Sequence, residues 1–212
     1  GGLVDSYDNL VTAIADWLDR SDLSDRVDTF IDIAEARHAR EVRIREMLDT
    51  VTLTLEEGET EIELPENFLD FYKLRVRVPS ATGRKYIPGI EELTVTQVAE
   101  LSFLDRSWPR GFTVHEVIEF TNPADRDYEV ELLYYTQLPA LSKDQQTNAL
   151  LTKAGDVYLY AALAASAPFL LNDERVQVWE ALYADARDGL NRSSRESRRG
   201  GPLVSRVHGA TP

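Results

Sequence analysis

The stretch from Ala149 to Leu190 constrains the fold more than any other part of the chain. Apolar residues recur there at steps of three and four, in one run from Leu150 and in a second run from Val176. This is the spacing of one helix face, and Asn172-Asp173-Glu174 between the runs predicts a helix cap and an acidic first turn. Two long helices joined by a few residues lie antiparallel, so the stretch predicts a helical hairpin. The small side chains from Ala161 to Ala167 favour the close approach of another helix.

The first fifty residues predict two more helices. One runs from Leu3 to Asp19, with Asp5 or Ser6 as its cap, and the other is capped by Ser24 and runs to about Asp49. Both carry apolar residues at helical spacing along one side, which is typical of helices that pack on a core.

The second half of the predicted Ser24–Asp49 helix is dense in charges of alternating sign. These residues are Glu35, Arg37, Arg40, Glu41, Arg43, Arg45 and Glu46. One interpretation is a solvated helix face held by weak ion pairs between neighbouring turns. The other is an interface between like subunits, in which Arg of one copy faces Glu of the next.

Between the helical segments the hydrophobic period changes to two, which predicts strands. Val51–Leu55 and Ile62–Leu64 predict a hairpin with one wet face, and Tyr72–Val78 predicts a further strand. The remaining assignments are one helical turn at Glu66–Phe71, a turn at Ser80–Gly83, a short helix at Ile90–Leu104, strands at Phe112–Thr121 and Tyr128–Tyr135, and a linker at Leu138–Thr147.

Runs of helices and runs of strands, rather than their alternation, predict an α+β fold. We expect a four-helix bundle-like helical domain with an inserted β-rich lobe and an extended C-terminal tail. The predicted boundaries are residues 1–50 and 145–191 for the helical domain, 51–144 for the β-rich insert with its linker, and 192–212 for the basic tail.

Composition places the chain among soluble globular proteins. The 212 residues are 43% hydrophobic and 28% charged, and no window approaches the roughly 18 consecutive apolar residues of a membrane span. Asp5 and Asp8 stand where a signal peptide would have basic residues, so we expect no such peptide. The absence of cysteine excludes disulfides and thiolate metal sites, and it fits a reducing compartment.

The net charge of −14 is distributed unevenly along the chain. Residues 192–212 contain five Arg and one Glu, a net +4, which leaves −18 on the remaining residues. An acidic body repels DNA phosphates, so the chain is a poor candidate for a sequence-specific DNA reader. The basic segment has two interpretations: a solvated terminus, or an element that docks on an acidic partner or touches nucleic acid.

A search for catalytic chemistry finds no specific motif. The three histidines, His38, His115 and His208, have no metal-binding spacing, and the glycines form no phosphate-cradling loop. Ser166 lacks the Gly-x-Ser-x-Gly frame of a hydrolase nucleophile. The glutamates from Glu56 to Glu63 lack the pattern of a calcium loop, so protection of a solvated strand edge is the preferred interpretation. We therefore expect no enzyme activity, no cofactor and no metal.

A series of short segments between about Leu10 and Leu190 follows a recognisable order. These segments are Ile33–Arg37, Arg43–Met47, Leu64–Leu69, Leu133–Tyr135, Leu138–Leu141, Thr147-Asn148, Leu150–Thr152, Asp156–Tyr160, Ala167–Leu170, Asp173–Arg175 and Val178–Glu180. In these segments the chain resembles the head-to-tail adaptor proteins of tailed bacteriophages. His38 departs from the family pattern, which more often has an apolar residue there. The tail after Arg192 matches no segment of the family.

The resemblance implies a structural virion protein without catalytic residues. Such proteins form a ring, commonly of twelve copies, in the neck below the capsid portal, where the ring extends the DNA channel and offers a platform for a tail or nozzle protein. The genomic DNA would pass without sequence-specific binding, no membrane would be involved, and assembly would take place in the host cytoplasm.

The resemblance also suggests roles for the two charged segments. The basic tail residues Arg192, Arg195, Arg198, Arg199 and Arg206 would bind the portal or a neighbouring subunit, and the Glu35–Glu46 segment would supply one subunit interface. Two other classes stay open: another neck or tail component, such as a terminator or stopper, and a hydrolase that uses carboxylates of the β-rich lobe. A DNA-binding regulator is disfavoured because the basic charge is confined to one end of the chain.

Overall fold

The computed structural model describes residues 4–79 and 86–199, and it is an α+β protein. The chain divides into two compact units, which we describe separately. Residues 1–47 and 137–212 form the helical unit, and residues 48–136 form the β unit. Residues 137–144, which we had assigned to the β-rich insert, therefore group with the helices.

The helical unit is built from α-helices joined by short 3-10 turns. The α-helices are α1 (Tyr7–Leu18), α2 (Val27–Glu41), α4 (Ala149–Lys153), α5 (Gly155–Ala165) and α6 (Arg175–Arg199), and the 3-10 segments are Ser21–Arg26, Arg45–Met47 and Ala167–Phe169. Helix α3 (Val95–Leu101) belongs to the β unit.

Helix α5 lies at the centre of the helical unit, in contact with α1, α2 and α6. Residues from Val157 to Ala164 are buried on nearly all sides of the helix, and only Tyr160 among them is half-exposed. A helix that is apolar all round fits only where other helices surround it. The alanines in this segment allow that close packing, so the predicted contact between α5 and α6 is confirmed.

The predicted single helix from Leu150 to Phe169 is wrong, because the helix is interrupted at Ala154, between α4 and α5. A Cβ added to Gly155 would lie 2.1 Å from the backbone oxygen of Val4. The N-terminal segment therefore passes directly over the start of α5, where only glycine leaves enough room. A 3-10 turn at Ala167–Phe169 follows α5.

Helix α1 begins at its predicted cap, where the Ser6 hydroxyl accepts a hydrogen bond from the Asn9 N–H at 3.2 Å. Helix α2 begins at Val27, after a 3-10 turn, and ends at Glu41. Its predicted continuation to Asp49 is therefore wrong.

The side chain of Asn191 on α6 explains why α2 ends at Glu41. Its Nδ2 donates to the Glu41 carbonyl at 2.8 Å, and its Oδ1 accepts from the Arg43 N–H at 3.0 Å. These bonds replace the ones that another helical turn would make. The apolar residues beyond the helix end, Val42 and Ile44, are fully buried, as their spacing predicted, but they lie in non-helical chain before the 3-10 turn Arg45–Met47.

Helix α6 continues to Arg199, which corrects the predicted tail boundary at residue 192. Ser194, near its end, is only 1% exposed, so this part of the helix is packed. Our prediction of an extended tail fails for residues 192–199. Residues 200–212 lie outside the described part of the chain.

The β unit contains two sheets and one short helix. The strands are β1 (Leu48–Leu55), β2 (Glu61–Glu63), β3 (Phe68–Arg77), β4 (Glu91–Glu92), β5 (Gly111–Val114), β6 (Val117–Phe120) and β7 (Tyr128–Thr136), and the helix is α3 (Val95–Leu101). The strand order is β1-β7-β3 in the three-stranded sheet and β2-β6-β5-β4 in the four-stranded sheet. All pairings are antiparallel except that of β4 with β5.

The predicted hairpin of Val51–Leu55 with Ile62–Leu64 is wrong, because β1 and β2 lie in different sheets. Strand β1 pairs with β7, and β2 pairs with β6. The alternation of apolar residues correctly indicated strands, but pairing depends on residues more than fifty positions away. Leu55 and Ile62 still share one hydrophobic core, which includes Val130 of β7.

Three smaller assignments also change in the β unit. The segment Glu66–Phe71 enters strand β3 at Phe68 and is not a helical turn. The predicted strand Phe112–Thr121 is the hairpin of β5 and β6, which reverses at His115-Glu116. The Ile90–Leu104 helix shortens to α3. It begins at Val95, because Thr94 and Gln97 form a capping box there, and it ends at Leu101 before the extended Ser102. The predicted turn Ser80–Gly83 lies outside the described residues.

Candidate partner-binding surfaces

The charged half of α2 is tied to α6 within the same chain. The Arg37 guanidinium donates to both carboxylate oxygens of Glu180, at 3.0 and 2.8 Å, and it lies 4.1 Å from the centre of the Tyr183 ring. Its Nε also faces Glu41, one turn further along α2, at 3.3 Å. The planar fork of arginine matches a carboxylate in this way, so Arg37 locks two helices together.

Glu41 receives three donors and is the centre of this polar network. Arg187 Nη1 and the Tyr183 hydroxyl each donate to its Oε2 at 2.8 Å. Burial acts to raise the pKa of Glu41, but the hydrogen bonds from Arg187 and Tyr183 outweigh burial, and the pKa is lowered. Burial raises the pKa of Tyr183, and its bond to Glu41 raises that pKa further.

Glu35 lies on the other flank of α2 and holds the segment that precedes α4. Its Oε1 accepts from the Leu141 backbone N–H at 2.8 Å and from the Tyr158 hydroxyl at 3.2 Å. Burial raises the pKa of Glu35 despite these two donors. The Asn148 side chain donates to the Tyr158 oxygen at 2.7 Å and caps α4, so α2, α4 and α5 meet at this point.

Among the other predicted interface residues, some have contacts within the chain and one is exposed. Glu46 forms an ion pair with Lys153 of α4, and Arg43 Nη1 donates to the carbonyls of Ala39 and Val42. Arg45 is half-buried beside Glu46. Arg40 is exposed and has no hydrogen bond or ion pair to residues 4–79 or 86–199.

The seven predicted interface residues therefore lie along one segment, but most of them stabilise their own subunit. Both interpretations of the segment assumed that its charges face away from the chain. No local pattern indicates their partners, because Glu180 and Arg187 lie some 140 positions later. A role of these residues in subunit contacts stays a prediction. Among the seven, Arg40 is the best placed for such a contact.

The basic residues of the C-terminal part extend along the end of α6. Arg192 and Arg195 are exposed on the helix, and Arg195 Nε donates to the Asn191 carbonyl at 3.4 Å. Arg198 and Arg199 belong to the last turn of the same helix, and Arg206 lies outside the described residues. The C-terminal end of a helix carries partial negative charge, which stabilises cations placed there.

The histidines belong to no metal-binding group in the described part of the chain. His38 is 4% exposed, with its ring 4.6 Å from the Tyr158 ring and its Nε2 3.3 Å from the Val157 carbonyl oxygen. His115 Nε2 lies 2.9 Å from Glu119, and His208 lies outside the described residues. Residues 4–79 and 86–199 contain no group of three or more His, Asp or Glu that could hold a metal ion.

Large apolar side chains are exposed in both units, and the sequence analysis missed them. Leu104 in the β unit and Leu171 in the helical unit are each 93% exposed, and Val178 and Leu182 are exposed one turn apart on α6. Such side chains often mark sites of protein contact. A loop position for Leu104 could have been inferred from the Ser107–Gly111 segment that follows it, which contains Ser, Pro and Gly.

Within the described residues, no helix combines the length and the apolar character needed to cross a bilayer. Comparison with known proteins gives one family match: the model of the SU10 adaptor protein family matches residues 5–206. No curated protein matches the chain.

Proposed function

This chain belongs to the SU10 adaptor protein family of bacteriophage structural adaptors, and from that premise we propose that it forms the ring that joins capsid portal to tail. The ring occupies the neck of the virion, contains twelve copies and extends the DNA channel. Its partners are the portal protein on one side and a tail or nozzle protein on the other. The subunits are made in the host cytoplasm and assemble there.

The observation that carries this proposal is the cationic end of α6 on an otherwise acidic chain. Arg192 and Arg195 project from a regular helix and are exposed. A helix already formed loses less conformational entropy on binding than a tail that must fold first. We assign Arg192, Arg195, Arg198 and Arg199 to an acidic surface of the portal, and Arg206 to the portal or a neighbouring subunit.

A ring of identical subunits needs two different faces on each copy, because every contact is head-to-tail. The network around Arg37 and Glu41 keeps α2 and α6 in a fixed relationship, so it holds the helical unit rigid for such contacts. Arg40 is free within the described chain to reach a carboxylate of the next copy. Rim charges of this kind set the orientation and the association rate more than the affinity.

Carboxylates placed in register in the four-stranded sheet support a passive role toward DNA. In the three-stranded sheet, Arg75 pairs with Glu131 and Arg77 with Glu129 across neighbouring strands. In the four-stranded sheet, Glu61 lies directly opposite Glu119. The carboxylate of Glu119 pairs with the imidazole of His115 across the turn between β5 and β6. Like charges in register are unfavourable for the sheet, but they repel phosphates and let DNA pass without binding.

The experiment is a mass measurement of purified protein, alone and with its portal, on the wild type and on Arg192→Glu/Arg195→Glu. We expect the wild type to add twelve copies per portal ring. The double variant replaces two exposed cations, so it should keep its helical content but lose portal binding. The matched control is Arg126→Glu/Lys143→Glu, which makes the same charge change at two exposed positions away from α6.

Truncation provides a second measurement. Deleting residues 193–212 removes the packed Ser194 and the last turns of α6, whereas deleting residues 200–212 leaves the described helix intact. We expect the longer deletion to abolish docking and to leave a folded monomer. Normal docking by the Arg192→Glu/Arg195→Glu variant, or a wild-type protein that does not bind the portal, contradicts the proposal.

A further inference from the structure

The outward face of α2 carries an apolar side chain, a small one and a cation in one row. Ile33, Ala36 and Arg40 are exposed, and Ile33 keeps 47% of its surface in solvent. They recur at steps of three and four residues, so they lie along one side of the helix, which we call the α2 row. The residues that α2 buries lie on its other side: Val27, Phe30, Ile31, Ala34 and His38.

The outward face of α6 carries a matching row at the same spacing. Val178, Ala181 and Asp185 are exposed, and the exposed Leu182 adds a second apolar side chain beside Ala181. We call these four residues the α6 row. The side chain of Asp185, like that of Arg40, has no hydrogen bond or ion pair to residues 4–79 or 86–199. Each row therefore ends in one charge without a described partner, and the two charges are opposite.

The two rows do not meet within one subunit, because α2 and α6 contact each other through other sides. On α2 the contacts come from Arg37 and Glu41, and on α6 they come from Glu180, Tyr183 and Arg187. Both rows are therefore left for contacts with other molecules.

Within one subunit, α2 and α6 run in the same direction. Arg37 binds Glu180, and Glu41, one turn further along α2, binds Tyr183 and Arg187 further along α6. These partners are 142 to 146 positions apart in the chain. A residue of α2 is therefore level with the α6 residue that follows it by that number of positions.

A closed ring preserves both the direction and the level of these helices. Its subunits are related by rotation about one axis, without translation along that axis. For twelve copies each rotation is about 30°, so α2 of one copy and α6 of the next stay close to parallel. When the helices run along the axis, residues that are level within a subunit are also level between neighbours. The pairs formed by the two rows fit this register, because each has a separation of 145 positions: Ile33 with Val178, Ala36 with Ala181, and Arg40 with Asp185.

We propose that the α2 row of one subunit packs in parallel on the α6 row of the neighbouring subunit. The proposal rests on the ring proposed above and specifies its subunit contact. Ile33 packs against Val178 and Leu182, the two alanines let the helices approach closely, and Arg40 binds Asp185. One copy supplies α2 and the next supplies α6, which gives the two unlike faces that a ring requires.

Two other contacts between copies would use the same rows less completely. An antiparallel contact that kept Arg40 on Asp185 would place Ile33 against Arg192 and would leave Val178 without an apolar partner. A symmetric contact of α6 with α6 would bury the apolar side chains but leave the α2 row unused. Only the parallel contact of these three pairs every member of both rows.

Cysteine crosslinking distinguishes these contacts, because the chain contains no cysteine of its own. The Ala36→Cys/Ala181→Cys variant is oxidised gently in the presence of the portal. A disulfide needs Cα atoms within about 7 Å, which closely packed helices provide at facing small residues, so a ladder of covalent oligomers should form. The matched control is Ala36→Cys/Gly189→Cys, whose second cysteine faces Ala36→Cys only in the antiparallel contact and should give no ladder. Each single variant should stay uncrosslinked.

Charge reversal tests the same contact without cysteines. Arg40→Asp and Asp185→Arg each place like charges opposite one another, so each should raise the protein concentration needed for half-assembly by about tenfold. The double variant Arg40→Asp/Asp185→Arg restores an opposite pair and should return that concentration close to the wild-type value. Lys143→Asp makes the same charge change at an exposed position on neither helix and should have no effect.

Several outcomes overturn this inference and leave the proposed ring intact. They are a ladder from Ala36→Cys/Gly189→Cys, a covalent dimer of either single variant, and rings that form on the portal while Ala36→Cys/Ala181→Cys gives no crosslink. A double charge variant as impaired as the single variants has the same consequence. A wild-type protein that neither forms rings nor binds the portal refutes the proposed function, and this inference with it.

Discussion

Arg37 on α2 and Glu180 on α6 are joined by two parallel hydrogen bonds, although 143 residues separate them in the chain. The same guanidinium lies over the Tyr183 ring and faces Glu41. The alternating charges of α2 therefore act mainly to hold α2 and α6 together. This relationship makes the stability of the helical unit sensitive to the shape of the cation and not only to its charge.

Arg37→Lys tests this sensitivity. Lysine keeps the charge but cannot form two parallel bonds or stack on a ring in the same way. Because the side chain of Glu180 is 45% exposed, the loss should be modest, about 1 kcal/mol of unfolding free energy. Denaturant unfolding followed by circular dichroism measures it. Arg40→Lys on the exposed side of the same helix should change stability by less than half as much.

His38 should make the helical unit sensitive to acid. Burial lowers the pKa of His38 from 6.5 to about 4, because the folded state favours the neutral ring. Its contribution is therefore fully present above pH 6.5 and is lost as the pH falls toward 4, since only the unfolded chain binds the proton readily. The loss should approach roughly 3 kcal/mol at pH 4.

His38→Leu removes the titrating ring and is the matched comparison for this effect. Unfolding free energies of both proteins from pH 7 to pH 4 should diverge, with the variant gaining relative stability as the pH falls. The carboxylates that accept hydrogen bonds, such as Glu41, titrate equally in both proteins and cancel in the difference. A constant difference across this range would show that His38 is not held neutral.

Asn148 should be the most sensitive cap in the helical unit. Its Oδ1 accepts from the Leu151 N–H at 2.9 Å, and its Nδ2 donates to Pro139 and to Tyr158. Asn148→Ala removes all three bonds at a buried site and should cost about 2 kcal/mol. Asn9→Ala, in the exposed first turn of α1, should cost a few tenths of that amount. Thermal unfolding of the two variants gives the comparison.

Two helical glycines should respond in opposite directions to alanine. Gly155→Ala forces a Cβ against the Val4 backbone oxygen, so the N-terminal segment must move, at a cost of about 2 kcal/mol or more. Gly189→Ala on α6 meets nothing within 4 Å and should stabilise the protein by about 0.5–1 kcal/mol. Equal effects at both positions, measured as shifts in Tm, would refute the close approach of Val4.

The local pattern of the sequence was sufficient to identify most helices and strands. Apolar residues at helical spacing predicted α1, α2 and the pair α5 and α6, and alternation predicted β1, β3 and β7. Those patterns record which side of each element must be buried, and that requirement is local. The pattern failed where an element ends, because Val42 and Ile44 have helical spacing but lie beyond the last turn of α2.

The partners of each element were decided by the tertiary structure alone. Asn191 ends α2, Val4 covers Gly155, and β1 pairs with β7 instead of its predicted partner β2. By contrast, chain composition alone indicated an acidic body with a basic end, since charge depends only on residue identity. Whether the charges of α2 face solvent, another subunit or α6 depends on which distant segment lies opposite them. Local spacing does not encode hydrogen bonds between residues that are more than a hundred positions apart.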